Sequence, residues 1–199
     1  MLGSMMVTTR GAAREAAILE STQELLIEQG YERLTVDAVA AHARASKATI
    51  YARWPDKASL VAAALKSRSA GQPRIATSGT SLRDDVLAFL ELCVHIAETE
   101  SLAAFMSVLG AARDDRVLAE AVRSTGLAPR RQECWDMVQR AIGRGEITQP
   151  ELAEQIFDLV MGKILVRYVV EDSPLSENER VTFVDRIVLP ALLLDAVRE

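Results

Sequence analysis

The stretch that decides the fold is TVDAVAAHARASKATIYARW, residues 35–54. Thr35 and Ser46 each precede a short run with helical periodicity, and a side-chain oxygen at such a position can accept hydrogen bonds from the free N–H groups of a first helical turn. In the second run Ile50 and Trp54 stand one turn apart, as two core-facing residues of a helix do. The stretch therefore predicts two helices of about two turns each, joined by a tight turn.

A longer helix is predicted on each side of this pair. Residues 14–29 carry apolar side chains at the spacing of an amphipathic helix, and Gly30, which can adopt a left-handed conformation, ends it. Pro55 and Asp56 open another helix over about residues 56–68. Helices as short as the central two cannot bury enough surface to form a core alone, so we expect them to present side chains to a partner.

Two short helices behind a longer one form a helix-turn-helix, whose second helix lies in the major groove of DNA. The residues expected at its base-facing end are Ser46, Lys47, Ala48 and Thr49. Lys47 can reach guanine or a phosphate, and Thr49 can offer its methyl group to thymine or its hydroxyl to a polar base edge. We also expect Tyr51 and Lys57 to contact phosphates.

Charge is distributed unevenly along the chain, whose net charge is −5. Residues 1–70 hold nine Lys or Arg and seven Asp or Glu, whereas residues 71–199 hold fourteen and twenty-one. Arg44 and Arg53 lie within the predicted helix-turn-helix, where Arg53 can contact a phosphate or remain a solvated cation. The pattern favours DNA binding by the first third, although spacing alone also allows a solvated basic face anchored by Trp54.

The remaining sequence predicts further helices and no strand. Residues 69–80 are rich in Gly, Ser, Thr and Pro and are expected to form a linker, while residues 1–13, which begin with the tag-like MLGSM, are expected to be disordered. Capping-box sequences, S-x-x-D at Ser81, T-x-x-E at Thr148 and S-x-x-E at Ser176, predict the starts of three helices, the second of which runs to about Tyr168. Further helices are predicted over residues 101–111, 115–124 and 127–144. Because strand and hairpin patterns are absent from the sequence, we expect an all-α fold with domains at residues 14–68 and 81–199.

The run EQGYERLTVDAVAAHARASKATIYARWPDKASLV resembles the DNA-binding domain of the TetR family of transcriptional regulators. The resemblance implies recognition-helix roles for Lys47, Thr49 and Tyr51. It also implies phosphate contacts for Thr35 and Lys57. The function it implies is a repressor that leaves a palindromic double-stranded DNA operator when a small effector binds.

Two positions depart from the family's pattern. Arg44 stands where the family usually has a glycine in the turn, so either this backbone position is not left-handed or it carries strain of roughly 1 kcal/mol. Trp54 and Pro55 replace a commoner ending that is led by phenylalanine, and this variant is compatible with the same fold.

Residues 81–199 resemble the ligand-binding and dimerisation region of the same family more loosely, best at AIGRGEI and FDLVMGKILVRYVV. The second of these segments is apolar on more than one face, and residues 181–197 are equally rich in Val and Leu. Two such helices suit a four-helix interface between two subunits, so we expect a homodimer that matches a palindromic operator. The alternative is an ordinary monomeric core.

The expected effector is an apolar small molecule, because methionine and aromatic side chains suit such a ligand. The candidate ligand-binding residues are Phe89, Cys93, Phe105, Met106, Leu109, Trp135, Met137, Phe157, Met161 and Tyr168. Each of them alone can also be an ordinary core residue. We expect them to line one pocket.

Other classes of protein find little support in the sequence. The catalytic signatures G-x-S-x-G, H-E-x-x-H and the P-loop are absent, so we expect no enzyme. Cys93 and Cys134 have no C-x-x-C partner and are expected to be buried thiols, with no metal or cofactor. Without a signal peptide or a membrane-length apolar run, the expected location is the cytoplasm. The alternative function is a helical adaptor that binds a protein through its acidic second domain.

Overall fold

The computed structural model describes residues 3–71, 80–99 and 102–195, and it contains no strand within those ranges. The predicted all-α class is therefore confirmed. Its helices are α1 (Gly3–Arg33), α2 (Val36–His42), α3 (Lys47–Tyr51), α4 (Lys57–Ser69), α5 (Leu82–Thr99), α6 (Leu102–Ala111), α7 (Arg116–Ala121), α8 (Ala128–Gly143), α9 (Leu152–Leu165), α10 (Glu177–Phe183) and α11 (Leu189–Asp195). Segments with π-helical hydrogen bonding continue three of them, at Val122–Leu127, Val166–Val170 and Val184–Val188. Most of the predicted linker, residues 72–79, lies outside the described residues.

The chain forms two compact units, and their division does not follow the predicted domain boundary. The first unit contains Met1–Gln72 and Ala103–Gly126, and the second contains Pro73–Leu102 and Leu127–Glu199. Helix α7 packs along α4 and buries Leu118, which adds this segment to the unit that contains α2 and α3. This segment therefore packs with the first unit, although in the sequence it lies within the predicted second domain.

The first unit has one apolar core to which each of its first four helices contributes. The fully buried side chains include Ile18 of α1, Val39 of α2, Ile50 of α3 and Leu60 of α4. Trp54, just beyond α3, is also buried, as its spacing from Ile50 predicts. Because the apolar residues recur at helical spacing, the opposite faces of α2 and α3 are left to polar side chains.

Helix α1 differs from its predicted start. It begins at Gly3, whereas the sequence predicts its start near residue 14. Residues 5–10 contain no proline, and an established helix propagates readily into such a neighbouring segment. Gly30 has φ 76° and ψ 172°, which interrupts the helix where the sequence predicts its end, and one short helical turn follows to Arg33.

The predicted side-chain caps fix where the helices of the first unit begin. Thr35 and Ser46 each accept a hydrogen bond at 3.1 Å from the backbone N–H three residues later. Asp56 caps α4 in the same way, at 2.7 Å. These caps satisfy N–H groups that an uncapped helix leaves without a partner, and they confirm the predicted starts of α2, α3 and α4.

In the second unit, α5, α8 and α9 share a core with the last two helices. The fully buried residues include Phe89, Ile156 and Val188. Helix α10 starts with the predicted capping box, in which Ser176 and Glu179 each bond the backbone N–H of the other. The similar box predicted at Thr148 is wrong.

Helix α9 begins at Leu152 without a side-chain cap. A box that starts at Thr148 would place Gln149 in the first helical position, directly before Pro150. The residue before a proline is disfavoured in the helical region of the backbone, so the helix starts only after the proline.

Candidate nucleic-acid interface

The turn between α2 and α3 contains a left-handed arginine. Arg44 has φ 49°. Its N–H donates to the carbonyl oxygen of Ala41 at 3.2 Å, and the N–H of Ala45 donates to the carbonyl oxygen of Ala40 at 2.9 Å. These two hydrogen bonds form a Schellman motif at the end of α2. The left-handed alternative is therefore the correct one, and arginine carries strain on the order of 1 kcal/mol here that glycine would not. Arg14 of α1 donates to the carbonyl oxygen of Arg44 at 3.2 Å.

The first turn of α3 ties two hydroxyl groups to each other. The Oγ atom of Ser46 lies 2.8 Å from Oγ1 of Thr49 and accepts the Thr49 N–H at 3.1 Å. Because the Thr49 hydroxyl is engaged in this way, its methyl group is the part of the side chain better suited to a base. Ala48 is exposed beside it. The hydroxyl of Thr35, expected on a phosphate, is likewise engaged as the cap of α2.

Lys47 opens α3, and its ammonium group has an acidic partner. Its Nζ atom donates to Oδ2 of Asp37 at 2.7 Å, although the two side chains are 56% and 65% exposed. This hydrogen bond raises the pKa of Lys47, so the group remains cationic at neutral pH. The cation that the sequence predicts to meet DNA therefore shares its surface with a carboxylate.

Tyr51 and Arg53 lie on the outer side of the recognition segment. Tyr51 is 49% exposed, which leaves its hydroxyl accessible to a partner. The Nε atom of Arg53 lies 3.4 Å from a carboxylate oxygen of Glu15 in α1. Ile50 and Trp54 are buried behind them, so the segment divides into an anchored inner face and an accessible outer face.

Lys57 is bonded to the end of α1. Its Nζ atom donates to the carbonyl oxygen of Tyr31 at 3.0 Å and lies 4.2 Å from the centre of the Tyr31 ring. The N–H of Tyr31 in turn donates to the hydroxyl of Ser107, on α6, at 3.0 Å. Burial, together with nearby acidic groups, raises the pKa of Tyr31. Lys57 therefore positions α4 against α1, whatever contact its ammonium group makes with DNA.

All of the predicted DNA-contacting residues lie in the first unit, between Thr35 and Lys57. Sequence reasoning missed two partners of that surface. Asp37 meets Lys47 across ten residues, and Ser107 meets Tyr31 across 76. Neither pair follows a helical or strand spacing, so only the folded chain reveals it.

The predicted ligand-binding residues do not share one compact unit. Those buried in the core of the second unit are Phe89, Cys93, Met137 and Phe157. Those partly buried against that core are Met161 and Tyr168. Trp135 is 46% exposed. Those on α6 in the first unit are Phe105, Met106 and Leu109.

Charged side chains are buried in the second unit as well, which the sequence did not predict. Asp85 is 2% exposed and lies 3.4 Å from Arg140 and 3.2 Å from Arg144. Arg130 and Glu133 form a second buried pair at 2.7 Å. Buried charges are tolerated when they are paired, and each of these clusters supplies the pairing.

The two cysteines are buried thiols, as predicted. Burial raises the pKa of Cys93 to about 12, and it raises the pKa of Cys134 as well. Thiols with such pKa values carry almost no thiolate at neutral pH, so both residues serve as packing groups.

A groove of about 240 Å³ lies between α4 and α7 in the first unit. Its walls are Ala62, Ala63, Lys66, Val117, Glu120, Ala121, Ser124 and Thr125. None of the predicted ligand-binding residues lines this groove. Small side chains and charged rims on both sides make it a surface feature of the first unit rather than an enclosed apolar pocket.

In the part of the chain that the structure describes, no group of three His, Cys, Asp or Glu side chains is placed to hold a metal ion. No single helix there is both long and apolar enough to cross a membrane, although Leu82–Thr99 and Ala104–Ala111 meet the criteria of length and composition when counted together.

Two family descriptions match the chain. Residues 18–64 match the model described as "Bacterial regulatory proteins, tetR family". Residues 77–187 match the model described as "Tetracyclin repressor-like, C-terminal domain". The first match covers the helix-turn-helix, and the second covers more than half of the chain.

Curated relatives and solved structures extend these matches. An uncharacterised HTH-type transcriptional regulator of Mycobacterium tuberculosis is 36% identical over 90% of this chain and 88% of its own length. The DNA-binding transcriptional repressor TetR of Mycobacteroides abscessus is 32% identical over 94% of this chain and 96% of its own. The solved structure of the flavonoid-responsive regulator FrrA covers 94% of this chain and all of its own at 23% identity, with a TM-score of 0.69, a likeness of fold.

Proposed function

Because this chain belongs to the TetR family of bacterial transcriptional regulators, we propose that it is a repressor that leaves a palindromic operator when a small molecule binds. The observation that carries the proposal is the accessible first turn of α3. Lys47 and Tyr51 project from a segment whose inner face is anchored by Ile50 and Trp54. The relative from Mycobacteroides abscessus, named as a repressor, supports repression over activation.

We assign base contacts to the residues at the start of α3. Lys47 donates to a base edge, and Ala48 and the Thr49 methyl group approach bases closely. Ser46 contributes by capping the helix, which aims its first turn.

Phosphate contacts come from the surroundings of α3. Tyr51 donates through its exposed hydroxyl, and Arg44 and Arg53 supply positive charge on either side of the helix. Lys57 and Thr35 make hydrogen bonds within the chain, which position α4 and α2. We assign them this role in addition to any phosphate contact.

The proposed dimer uses the last helices of the second unit. Leu165, Val166, Val170 and Ile187 are large apolar residues that remain exposed in the single chain. Exposed apolar patches of this kind are typical of protein interfaces. A two-fold dimer through them would present two copies of α3 to half-sites about 34 Å apart.

The proposed effector is an apolar small molecule bound by the second unit. Phe89, Met137 and Phe157 supply an apolar interior for it. The flavonoid-responsive regulator and the transcriptional regulator FadR of Bacillus subtilis, solved in complex with stearoyl-CoA, share the fold, which supports a ligand of apolar character. Release of 100-fold requires about 2.7 kcal/mol of difference in effector affinity between the DNA-bound and free conformations.

A mobility-shift assay with DNA fragments that flank the gene for this chain tests the proposal. We expect a specific complex whose affinity falls steeply between about 50 and 200 mM salt. A thermal-shift screen then supplies candidate effectors, which should dissociate that complex. Absence of any specific, salt-dependent complex would overturn the autoregulatory repressor and favour the adaptor alternative.

A further inference from the structure

We propose that Asp37 determines the specificity of the DNA-binding surface by restraining Lys47, so that the pair reads a G·C base pair instead of binding any phosphate. The inference rests on the proposed DNA-binding function. It gives an acidic residue, Asp37, a role in the DNA-binding surface. It follows from the contact between the first turn of α2 and the first residue of α3.

The geometry places the pair on the outer face of the helix-turn-helix. The Nζ atom of Lys47 lies 2.7 Å from Oδ2 of Asp37, and both side chains are more than half exposed. Exposed ion pairs contribute little to folding. Stability therefore gives a weak reason for a carboxylate beside the predicted recognition lysine.

Electrostatics gives a stronger reason. A lysine without an acidic partner attracts phosphates of any sequence, and each neutralised phosphate adds affinity that carries no sequence information. A carboxylate that holds Lys47 cancels part of that attraction and repels the backbone equally for all sequences. Only a base pair that satisfies both members of the pair recovers the loss.

Hydrogen-bonding chemistry identifies that base pair. In the major groove guanine presents the acceptors O6 and N7, which suit a lysine, and cytosine presents an N4 amino donor, which suits a carboxylate. The Lys47–Asp37 pair offers a donor that can bond guanine and, beside it, an acceptor that can bond cytosine. An A·T pair matches less well, because adenine presents one acceptor to Lys47 instead of two, and the O4 atom of thymine, itself an acceptor, repels the carboxylate of Asp37.

The other cations near α3 differ from Lys47. Lys57 is held by backbone carbonyl oxygens, which bring no full negative charge to the surface. Arg53 faces Glu15 at 3.4 Å, from the long helix α1 behind the recognition segment. Asp37 alone of these partners stands in the first turn of α2, beside the base-facing end of α3.

The test begins with the full chain and a pool of randomised duplexes, from which the wild type enriches its preferred sequence. Dissociation constants are then measured over a range of salt for the enriched duplex and for a shuffled duplex, using wild type, Asp37→Asn, Lys47→Gln and the double variant. For Asp37→Asn we expect about ten-fold tighter binding to the shuffled duplex at low salt, with the logarithmic salt slope steeper by about one. The ratio of enriched to shuffled affinity should fall about ten-fold, and a repeated selection should lose the preference at one G·C position in each half-site.

The variants separate a positioning role from a structural one. If Asp37 acts together with Lys47, most of the change caused by Asp37→Asn is lost in the Lys47→Gln background, and Asp37→Glu retains most of the selectivity. Glu20→Gln, which removes an exposed acid from α1, is the matched control and should leave the ratio unchanged. An unchanged ratio in a folded Asp37→Asn protein, or an equal change without Lys47, overturns the Asp37 proposal alone. A wild type that enriches no sequence overturns the DNA-binding function with it.

Discussion

The two compact units use charge in opposite ways. In the first unit the core is apolar, and Lys47 and Tyr51 stand on the outside. The second unit buries Asp85 and Arg130, while Val170 is 74% exposed. An apolar side chain as exposed as Val170 costs free energy in water, whereas the exposed polar groups of the first unit suit water and polyanionic DNA. We therefore expect another protein surface to cover the exposed apolar residues of the second unit.

The largest effect should come from placing a charge on the exposed apolar face of the second unit. We expect Val166→Glu to raise the dimer dissociation constant by at least about 1,000-fold, because two-fold symmetry buries two unpaired carboxylates at once. Analytical ultracentrifugation measures this directly. Operator affinity should fall in parallel, since a monomer engages only one half-site.

Val117→Glu supplies the matched control for that substitution. Val117 is 47% exposed and Val166 is 45% exposed, but Val117 lies in the first unit. We expect it to leave the dimer dissociation constant unchanged. Equal loss of association in both variants would mean that general surface charge, and not the face formed by the last helices, controls assembly.

The second prediction concerns the buried charges. Asp85→Asn removes the buried carboxylate that Arg140 and Arg144 share, and we expect the free energy of unfolding to fall by about 2 kcal/mol, because a hydrogen bond to a charged group contributes about 1.5–3 kcal/mol. Urea unfolding measures the change. Asp185→Asn is the control, because its ion pair with Arg83 is short but exposed, and it should alter the midpoint far less. A similar midpoint for the two variants would remove the distinction between buried and exposed pairs.

The sequence predicts the first unit well because its signals are local. The caps at Thr35 and Ser46, the buried pair Ile50 and Trp54 and the break at Gly30 depend on residues within a turn of one another. Local spacing therefore carries enough information to predict the helix-turn-helix and its outward-facing residues.

Local spacing does not predict which distant segments of the chain pack together. Residues 103–126 join the first unit through the packing of α7 on α4, which no local pattern announces. The apolar pattern around Asp85 predicts a helix correctly but says nothing of the arginines 55 or more positions later that allow its carboxylate to be buried. Trp135 has the composition of a pocket residue yet is exposed, because hydrophobic character alone does not say which side of a helix faces the core.

The third prediction returns to the first unit, at the arginine in the turn. Arg44→Gly should raise the free energy of unfolding by about 0.5–1 kcal/mol, because glycine relieves the left-handed strain but also gains freedom in the unfolded chain. The same variant should weaken DNA binding a few-fold and make the logarithmic salt slope shallower by about one. Arg44→Ala separates the two effects, since it removes the cation but keeps the strain. If alanine stabilises the chain as much as glycine does, left-handed strain is not the cause.

The smallest expected effect is a pH dependence at Glu146 in the second unit. Its carboxylate accepts the N–H of Leu82 at 2.7 Å and also pairs with Arg144, so it joins the start of α5 to the end of α8. The hydrogen bond from Leu82 is the main cause that lowers the pKa of Glu146 below its ordinary value of 4.5. A carboxylate with a lowered pKa stabilises the fold fully above its unfolded pKa and loses that contribution as the pH falls through the folded one. Urea unfolding of wild type and Glu146→Gln should therefore differ at pH 7 and converge as the pH falls below about 4.5. A difference in stability that stays constant down to the lowest pH would assign the role of Glu146 to its shape instead of its charge. The contact between α5 and α8 would then depend on the charge of Asp85 and not on that of Glu146.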